Sequence, residues 1–391
     1  MTRPLLIIFL TIFVNLVGFG IIIPLLPFYA QTFGASPVVV GLLFAIYSLC
    51  QLIASPALGD LSDRYGRRPV LIFSLAGTVV SFVMLAIAHS IMMLFLARIV
   101  DGLSGGNIST ARAYVADVTE PKDRARAYGL IGAAFGLGFI FGPALSGVLA
   151  RVSYTAPIWA AAAITLIATI MAWVWLPETV HRTHAGAGNP LRYLPEMLRR
   201  PPVRRILTID FMYWGALAVF QTTFALFAAA RFGFDAARTG YWFAGFGLLG
   251  VIVQGAFIRP IVHRLGDKTT FVTGLVFGAI GMAAASLTHS VVVFGLTLVP
   301  LSLGMGFGMP TLSSLVSRAA RGHEQGRMQG AASAMESLSR TLGPVWGTAL
   351  LQRVGEASPY LSAAAFLLLT LLLSVGYHAT DQDHLVVSQA G

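Results

Sequence analysis

The sequence predicts an all-α membrane protein: twelve transmembrane helices in two pseudo-symmetric six-helix bundles. Three observations carry that prediction. Of the 391 residues, 56% are hydrophobic and only 11% charged, whereas soluble domains carry roughly a quarter charged residues. The charges fall in short clusters between apolar segments of about 20 residues, the length a helix needs to cross hydrocarbon. A charged, glycine-punctuated turn, GDLSDRYGRRP from Gly59 to Pro69, returns in degenerate form 200 positions later, at Arg259 to Lys268. Helices are the natural choice, because an open sheet edge in lipid leaves backbone groups unpaired and the segments lack the short alternation of a membrane barrel.

In chain order the predicted spans are 5–30, 38–58, 70–88, 91–116, 127–150, 156–177, 206–230, 240–262, 270–288, 291–317, 327–350 and 358–377. The first runs on through Pro24 and Pro27 without a convincing cleavage site and is longer than the apolar core of a signal peptide, so it is expected to stay in the protein. Spans 2 and 3 flank the GDLSDRYGRRP turn. Span 4 carries Arg98, Asp101 and Arg112 among apolar residues, and span 5 is rich in glycine around Pro143. After span 6 comes the longest polar stretch, Glu178 to Arg205, with a short amphipathic piece at Tyr193 to Leu198. The expected organisation is an N-terminal bundle over 1–177, a cytoplasmic linker over 178–205, a C-terminal bundle over 206–377 and a tail over 378–391.

Charge orients these spans. Most of the 26 basic residues lie at the amino terminus or on the loops after even-numbered spans, among them Arg64, Arg67, Arg68, Lys122, Arg199, Arg204, Arg259, Arg264 and Arg318. The opposite face has Arg151, Arg231, Arg238 and Arg353. The positive-inside rule then puts both termini in the cytoplasm. The net charge of +10 is accounted for by this topology, and no basic stripe with interleaved aromatics points to nucleic acid. Cys50 is the sole cysteine, which excludes an intrachain disulfide. No H-E-x-x-H, G-x-S-x-G or phosphate loop is present, His181 and His184 lie in the linker, and the loops are too short to house a catalytic domain. Neither an enzyme nor a cofactor or metal site is expected.

The repeat extends beyond the turn. Asp63, Arg64, Gly66 and Arg68 align with His263, Arg264, Gly266 and Lys268, while Asp123, Arg126, Gly129, Gly142 and Pro143 align with Glu324, Arg327, Gly330, Gly343 and Pro344. A repeat of six spans keeps its orientation. The halves should therefore be related by an axis along the membrane normal, with a substrate site near the midplane between them.

At these residues the chain resembles the major facilitator superfamily, and within it the drug:proton antiporters of the tetracycline-exporter type. GDLSDRYGRRP matches that superfamily's signature between helices 2 and 3, and RIVDGLSGG, Arg98 to Gly106, fits the R-x-x-x-G-x-x-x-G pattern of its helix 4. Gly129, Gly138, Gly142, Pro143 and Gly147 fall on the antiporter pattern G-x8-G-x3-G-P-x-x-G-G of helix 5, with Ser146 replacing one glycine. The resemblance implies a proton-coupled exporter of small amphipathic molecules, a multi-pass inner-membrane protein acting as a monomer, with the lipid bilayer and protons as its other partners.

Candidate residues follow from chemistry and from the resemblance. A charge placed at mid-bilayer is costly and faces a cavity or a partner; Arg98 with Asp101, and Glu336 with Arg340, each share one helix face. Asp101 and Glu336 are the foremost proton candidates. Asp210 is a weaker one, since it falls four residues into the predicted span 7 and could snorkel, and Arg112 is expected to serve the loop charges or the lipid headgroups. Polar groups that could meet an amphipathic substrate are Asn15, Gln51, Asn107, Gln221 and Gln254, with aromatics such as Phe19, Tyr47, Tyr213, Trp214, Phe224 and Trp242 around them. In the gating turn, Gly59 and Gly66 permit close approach and a tight turn, and Asp63, Arg64, Arg67 and Arg68 offer ion pairs. The resemblance implies that Asp63 and Arg67 join Asp117 in a latch that stabilises the outward-open form, and that the helix 5 glycines seal the halves.

The resemblance also fails at specific positions. Tetracycline exporters of the best-known type carry acids in helices 1, 3 and 9 and a histidine in helix 8, where this chain has Asn15, Ser81, Gly278 and Gly250. The carboxylates and imidazole that would match a magnesium–tetracycline complex are thus absent at these positions. A facilitator or symporter of a metabolite is the alternative reading.

Overall fold

The computed structural model describes residues 3–105, 107–120, 123–179, 190–320 and 324–375, with the side chains at 3–4, 107–109, 124–126, 128 and 190–193 left outside the description. His181, His184 and the tail at 378–391 lie outside the described residues.

The helices are α1 (Arg3–Gln31), α2 (Pro37–Tyr65), α3 (Arg67–Ala86), α4 (Ile91–Ser104), α5 (Asn107–Val118), α6 (Arg124–Leu149), α7 (Ala156–Trp175), α8 (Pro190–Leu198), α9 (Pro201–Phe232), α10 (Ala236–Ile252), α11 (Ile258–Leu287), α12 (Val291–Arg318), α13 (Gln325–Arg353) and α14 (Ser358–Ser374), with a π turn at Val253–Phe257 between α10 and α11. They make twelve passes. Span 4 is α4 followed by α5, interrupted at Gly105; span 8 is α10, the π turn and α11 as far as Gly266; span 9 is the rest of α11. The 52-residue apolar stretch Ala236–Leu287 is two passes because Gly266, at φ 75° and ψ 166°, breaks the helix.

Among the described residues, length and hydropathy alone pick out eight spanning helices, and the shortfall has physical causes. Span 4 is split and carries three charges, α11 joins two passes, span 11 carries Glu336 and Arg340, and α14 has 17 residues, the short limit for a pass. Two expectations are corrected here. Span 4 is not continuous over 91–116, and span 7 begins at Pro201 rather than 206, because Pro201 and Pro202 suit a helix's first turn.

The two halves fold alike. Span 1 packs on span 5 as span 7 packs on span 11, and span 3 packs on span 6 as span 9 does on span 12. The turn glycines share a conformation: Gly66 has φ 107° and ψ 155°, and Gly266 matches it 200 positions on. Between halves, span 2 meets span 11 and span 5 meets span 8.

These contacts are uneven along the membrane normal. On the face opposite the basic loops the helices touch closely: a Cβ at Gly240 would lie 2.7 Å from Pro143 O, and one at Gly41 2.7 Å from Pro344 O. Toward the basic face, Gly59, Gly129, Gly132, Gly250, Gly255 and Gly326 have nothing within 4 Å of such a Cβ. The halves are in close contact on the face opposite the basic loops, and the molecule is closed there.

Candidate functional site

Buried charges (Arg98, Asp101 and Asp210) and half-buried ones (Glu336 and Arg340) gather between the halves. On α4, Arg98 Nη1 donates to Asp101 Oδ2 at 2.8 Å across one helical turn, with side chains 1% and 10% exposed. The Arg98 guanidinium also lies 4.2 Å from the centroid of the Tyr47 ring on span 2, a cation–π contact. Among the described residues its Nε and Nη2 have no hydrogen-bond partner. From the other half come Glu336 and Arg340 on span 11 and Asp210 and Trp214 on span 7, with Arg340 Cζ 5.7 Å from the Trp214 ring. Arg340 acts electrostatically on both Glu336 and Tyr47, so the two constellations face each other across the interface.

Asp210 sits differently from its sequence-based placement. Because span 7 starts at Pro201, Asp210 is in its third turn and only 2% exposed. It neighbours Glu336, Arg340 and the Trp214 indole, and among the described residues its Oδ2 has no hydrogen-bond partner. Snorkelling to the headgroups is excluded. Arg112, expected at the latch or the headgroups, is exposed and close enough for its charge to reach Glu336 of the other half. Buried carboxylates with both acidic and basic neighbours in one layer can exchange a proton or a ligand charge without leaving an isolated charge in the membrane.

The neutral candidates divide. Gln51 Nε2 donates to Gly105 O at 2.9 Å and to Tyr47 Oη at 3.2 Å, so it satisfies the carbonyl freed where span 4 breaks. Asn15 and Gln221 are half-buried on spans 1 and 7, Gln254 is exposed on the π turn, and the side chain of Asn107 lies outside the described residues. Tyr213 is 2% exposed and packed within its own half against Phe271 and Gly308. Phe224 is fully buried among Phe220, Phe243 and Phe294. Aromatic type alone does not distinguish core from cavity.

At the basic face, Arg67 ties three groups: Nη1 to Asp63 at 2.5 Å, Nε to Asp117 at 3.2 Å, and Nη1 to Ser62 Oγ at 2.6 Å. Arg64 pairs with Asp60 at 2.9 Å, and Arg68 donates to Trp173 O at 2.5 Å. Asp63, Arg67 and Asp117 all sit in one half, so these ion pairs tie the turn to the basic end of span 4 within that half. Sequence reasoning missed Glu178, whose carboxylate accepts from Arg67 N at 2.9 Å and Arg68 N at 3.2 Å and so caps α3. No local spacing announces a cap 111 residues away. It also missed the counterpart in the other half, where Asp267 pairs with Arg318 at 2.7 Å and accepts from Ser314 Oγ at 2.6 Å. There the charges are exchanged: basic Arg67 and acidic Asp117 correspond to acidic Asp267 and basic Arg318.

The motif glycines of span 5 serve two interfaces. A Cβ at Gly138 would meet Leu16 at 2.6 Å, and one at Gly142 would meet Val17 O at 2.6 Å and Gly20 Cα at 2.7 Å, both on span 1 of the same half. Of the motif residues, Gly147, 2.9 Å from Ala237 O by the same measure, and the Pro143 carbonyl reach span 8. A Cβ at Gly129 would meet nothing within 4 Å among the described residues. At two of the positions where the resemblance implies acids, Ser81 Oγ donates to Ala97 O at 2.9 Å, and Gly278 abuts Leu367 and Gly304. Among the described residues no group of His, Cys, Asp and Glu could hold a metal ion.

A family model for the Major Facilitator Superfamily matches residues 8–344 and again 255–385. Among curated relatives, the tetracycline resistance protein of class G from Vibrio anguillarum is 35% identical over 85% of this chain and 86% of its own. The class C protein from Escherichia coli is 32% identical over 89% of each chain, and multidrug resistance protein 1 of Bacillus subtilis (strain 168) is 28% identical over 94% of each. Two solved structures share the fold: the human organic anion transporter MFSD10 (TETRAN), TM-score 0.75 at 24% identity over 95% of this chain and 99% of that one, and a point mutant of the nucleoside transporter NupG, TM-score 0.80 at 12% identity over 96% and 99%.

Proposed function

Because the chain belongs to the major facilitator superfamily, we propose that it is a secondary transporter that exports amphipathic organic compounds in exchange for protons. The observation that carries this reading is the layer of buried charge shared by both halves, lying where a conformation open to one face can expose it. Relatives named for tetracycline and multidrug resistance support the export direction. We take the basic face as cytoplasmic, with both termini there, the inner membrane as the location and the monomer as the working unit.

In this reading the compound enters from the cytoplasmic side and meets the layer from Tyr47 and Gln51 to Trp214 and Arg340. Asp101, held by Arg98, stays ionised as a fixed counter-charge. Asp210 and Glu336 share the exchangeable proton, because two carboxylates close together in a dry site do not both ionise readily and Arg340 acts on both. Substrate arrival displaces that proton to the cytoplasm, the halves rock, and release on the far side reopens the carboxylates to protonation. Without tying both faces of the cycle to those groups, a pump would leak.

The test is transport in proteoliposomes across a panel of amphipathic compounds. Accumulation driven by an imposed pH gradient and abolished by a protonophore is expected. Transport indifferent to pH would instead assign a facilitator, which the missing acids at Ser81 and Gly278 would suit.

A further inference from the structure

The closed face is held by two contacts that are copies of each other. The fifth residue of span 2, Gly41, seats on the Pro344 carbonyl of span 11, and the fifth residue of span 8, Gly240, seats on the Pro143 carbonyl of span 5. Pro143 and Pro344 are repeat equivalents, 201 positions apart. Both receiving helices start alike: Ser36 caps α2 by accepting from Val39 N at 3.4 Å, and Asp235 caps α10 by accepting from Arg238 N at 2.7 Å. Two turns beyond each proline, again 201 positions apart, stand Arg151 and Gln352. Each crosses to the other half. Arg151 Cζ lies 5.2 Å from the ring centroid of Tyr241 on span 8, and Gln352 Oε1 accepts from Val38 N in the first turn of span 2 at 3.2 Å.

We propose that Arg151 and Gln352 are paired latches that set how readily the face opposite the basic loops opens. The glycine seats supply close packing, which in a membrane depends on small residues and on carbonyl contacts. The polar latches add two interactions present only when that face is closed: a cation over an aromatic ring, and a partner for an orphan N–H of a helix start. Both are exposed to water at the membrane surface, so each is weak singly. Together they bias a two-state equilibrium. Loss of both shifts the population toward the alternate state by roughly tenfold. The two residues differ in chemistry although their positions match, so they are separable: salt weakens the Arg151 contact far more than the Gln352 contact.

This inference rests on alternating access but not on the proton or the substrate, so its test uses neither. In a Cys50→Ser background, spin labels are placed at Thr32 and Val354, exposed positions in opposite halves on that face. Distance distributions are then compared between Arg151→Ala/Gln352→Ala and its parent in detergent. A longer-distance population that grows roughly tenfold in the double variant, and less in each single one, is expected. Identical distributions would overturn the proposal. Cysteines at Val38 and Gln352 provide the converse: their cross-link should hold the short distance, and a cross-linked protein with the same long-distance population as the reduced one would also contradict it. Since these side chains are at the surface, folding is not at risk, and failure here would leave the transport reading standing.

Discussion

Removing Arg98 alone should harm the protein more than removing Arg98 and Asp101 together. The Arg98 side chain is 1% exposed and donates to Asp101 at 2.8 Å, so Arg98→Met fills the space but strands a carboxylate in a dry layer. Breaking a buried pair by one partner costs about 3–5 kcal/mol, while replacing both with groups of similar volume is close to neutral. Arg98 also loses its position over Tyr47, worth up to about 2 kcal/mol when desolvated, and both variants share that loss. The double variant Arg98→Met/Asp101→Asn should therefore recover about 2–4 kcal/mol of the single variant's deficit. Thermal unfolding in detergent, read by tryptophan fluorescence for the parent, both singles and the double, closes the cycle. A double variant no more stable than Arg98→Met would refute the claim that Asp101 is ionised and held by Arg98.

Gly142→Leu should destabilise by about 1–3 kcal/mol through overpacking against Val17 and Gly20, lowering the unfolding temperature without making the membrane leaky, because Gly142 faces span 1 of its own half. A dye-leak assay on liposomes containing the variant checks the second part. At the turn between spans 8 and 9, Asp267→Arg should weaken transport and Asp267→Arg/Arg318→Asp should restore most of it, since the exchanged pair reproduces the polarity already used by Arg67 and Asp117 in the other half. Equal activity of single and double variants would leave the pair without a role.

The repeat was the most legible part of the fold. Gly66 and Gly266 could be aligned by eye, and both adopt positive φ because a chain turning between two spans needs a residue without a Cβ there. The inverted pair Asp267 and Arg318 escaped because an alignment rewards identity, whereas an ion pair keeps its geometry when its partners trade places. Asp210 lies deeper than the sequence suggests for a different reason: the arginines at Arg199, Arg200, Arg204 and Arg205 read as linker, yet helical propensity and Pro201 carry the helix back through the last two of them. The layer of charge was visible as isolated residues in apolar runs. That span 11 would set Glu336 beside Asp210 depended on which helices are neighbours, and no single span encodes that.

The central claim is tested most directly by substrate-induced proton release from the purified protein, measured with a pH dye in weak buffer. The account predicts that an exported compound releases protons from the parent and from Asp101→Asn far more than from Asp210→Asn or Glu336→Gln, with compound binding still detectable in all four. Undiminished release from both the Asp210→Asn and Glu336→Gln variants would contradict it.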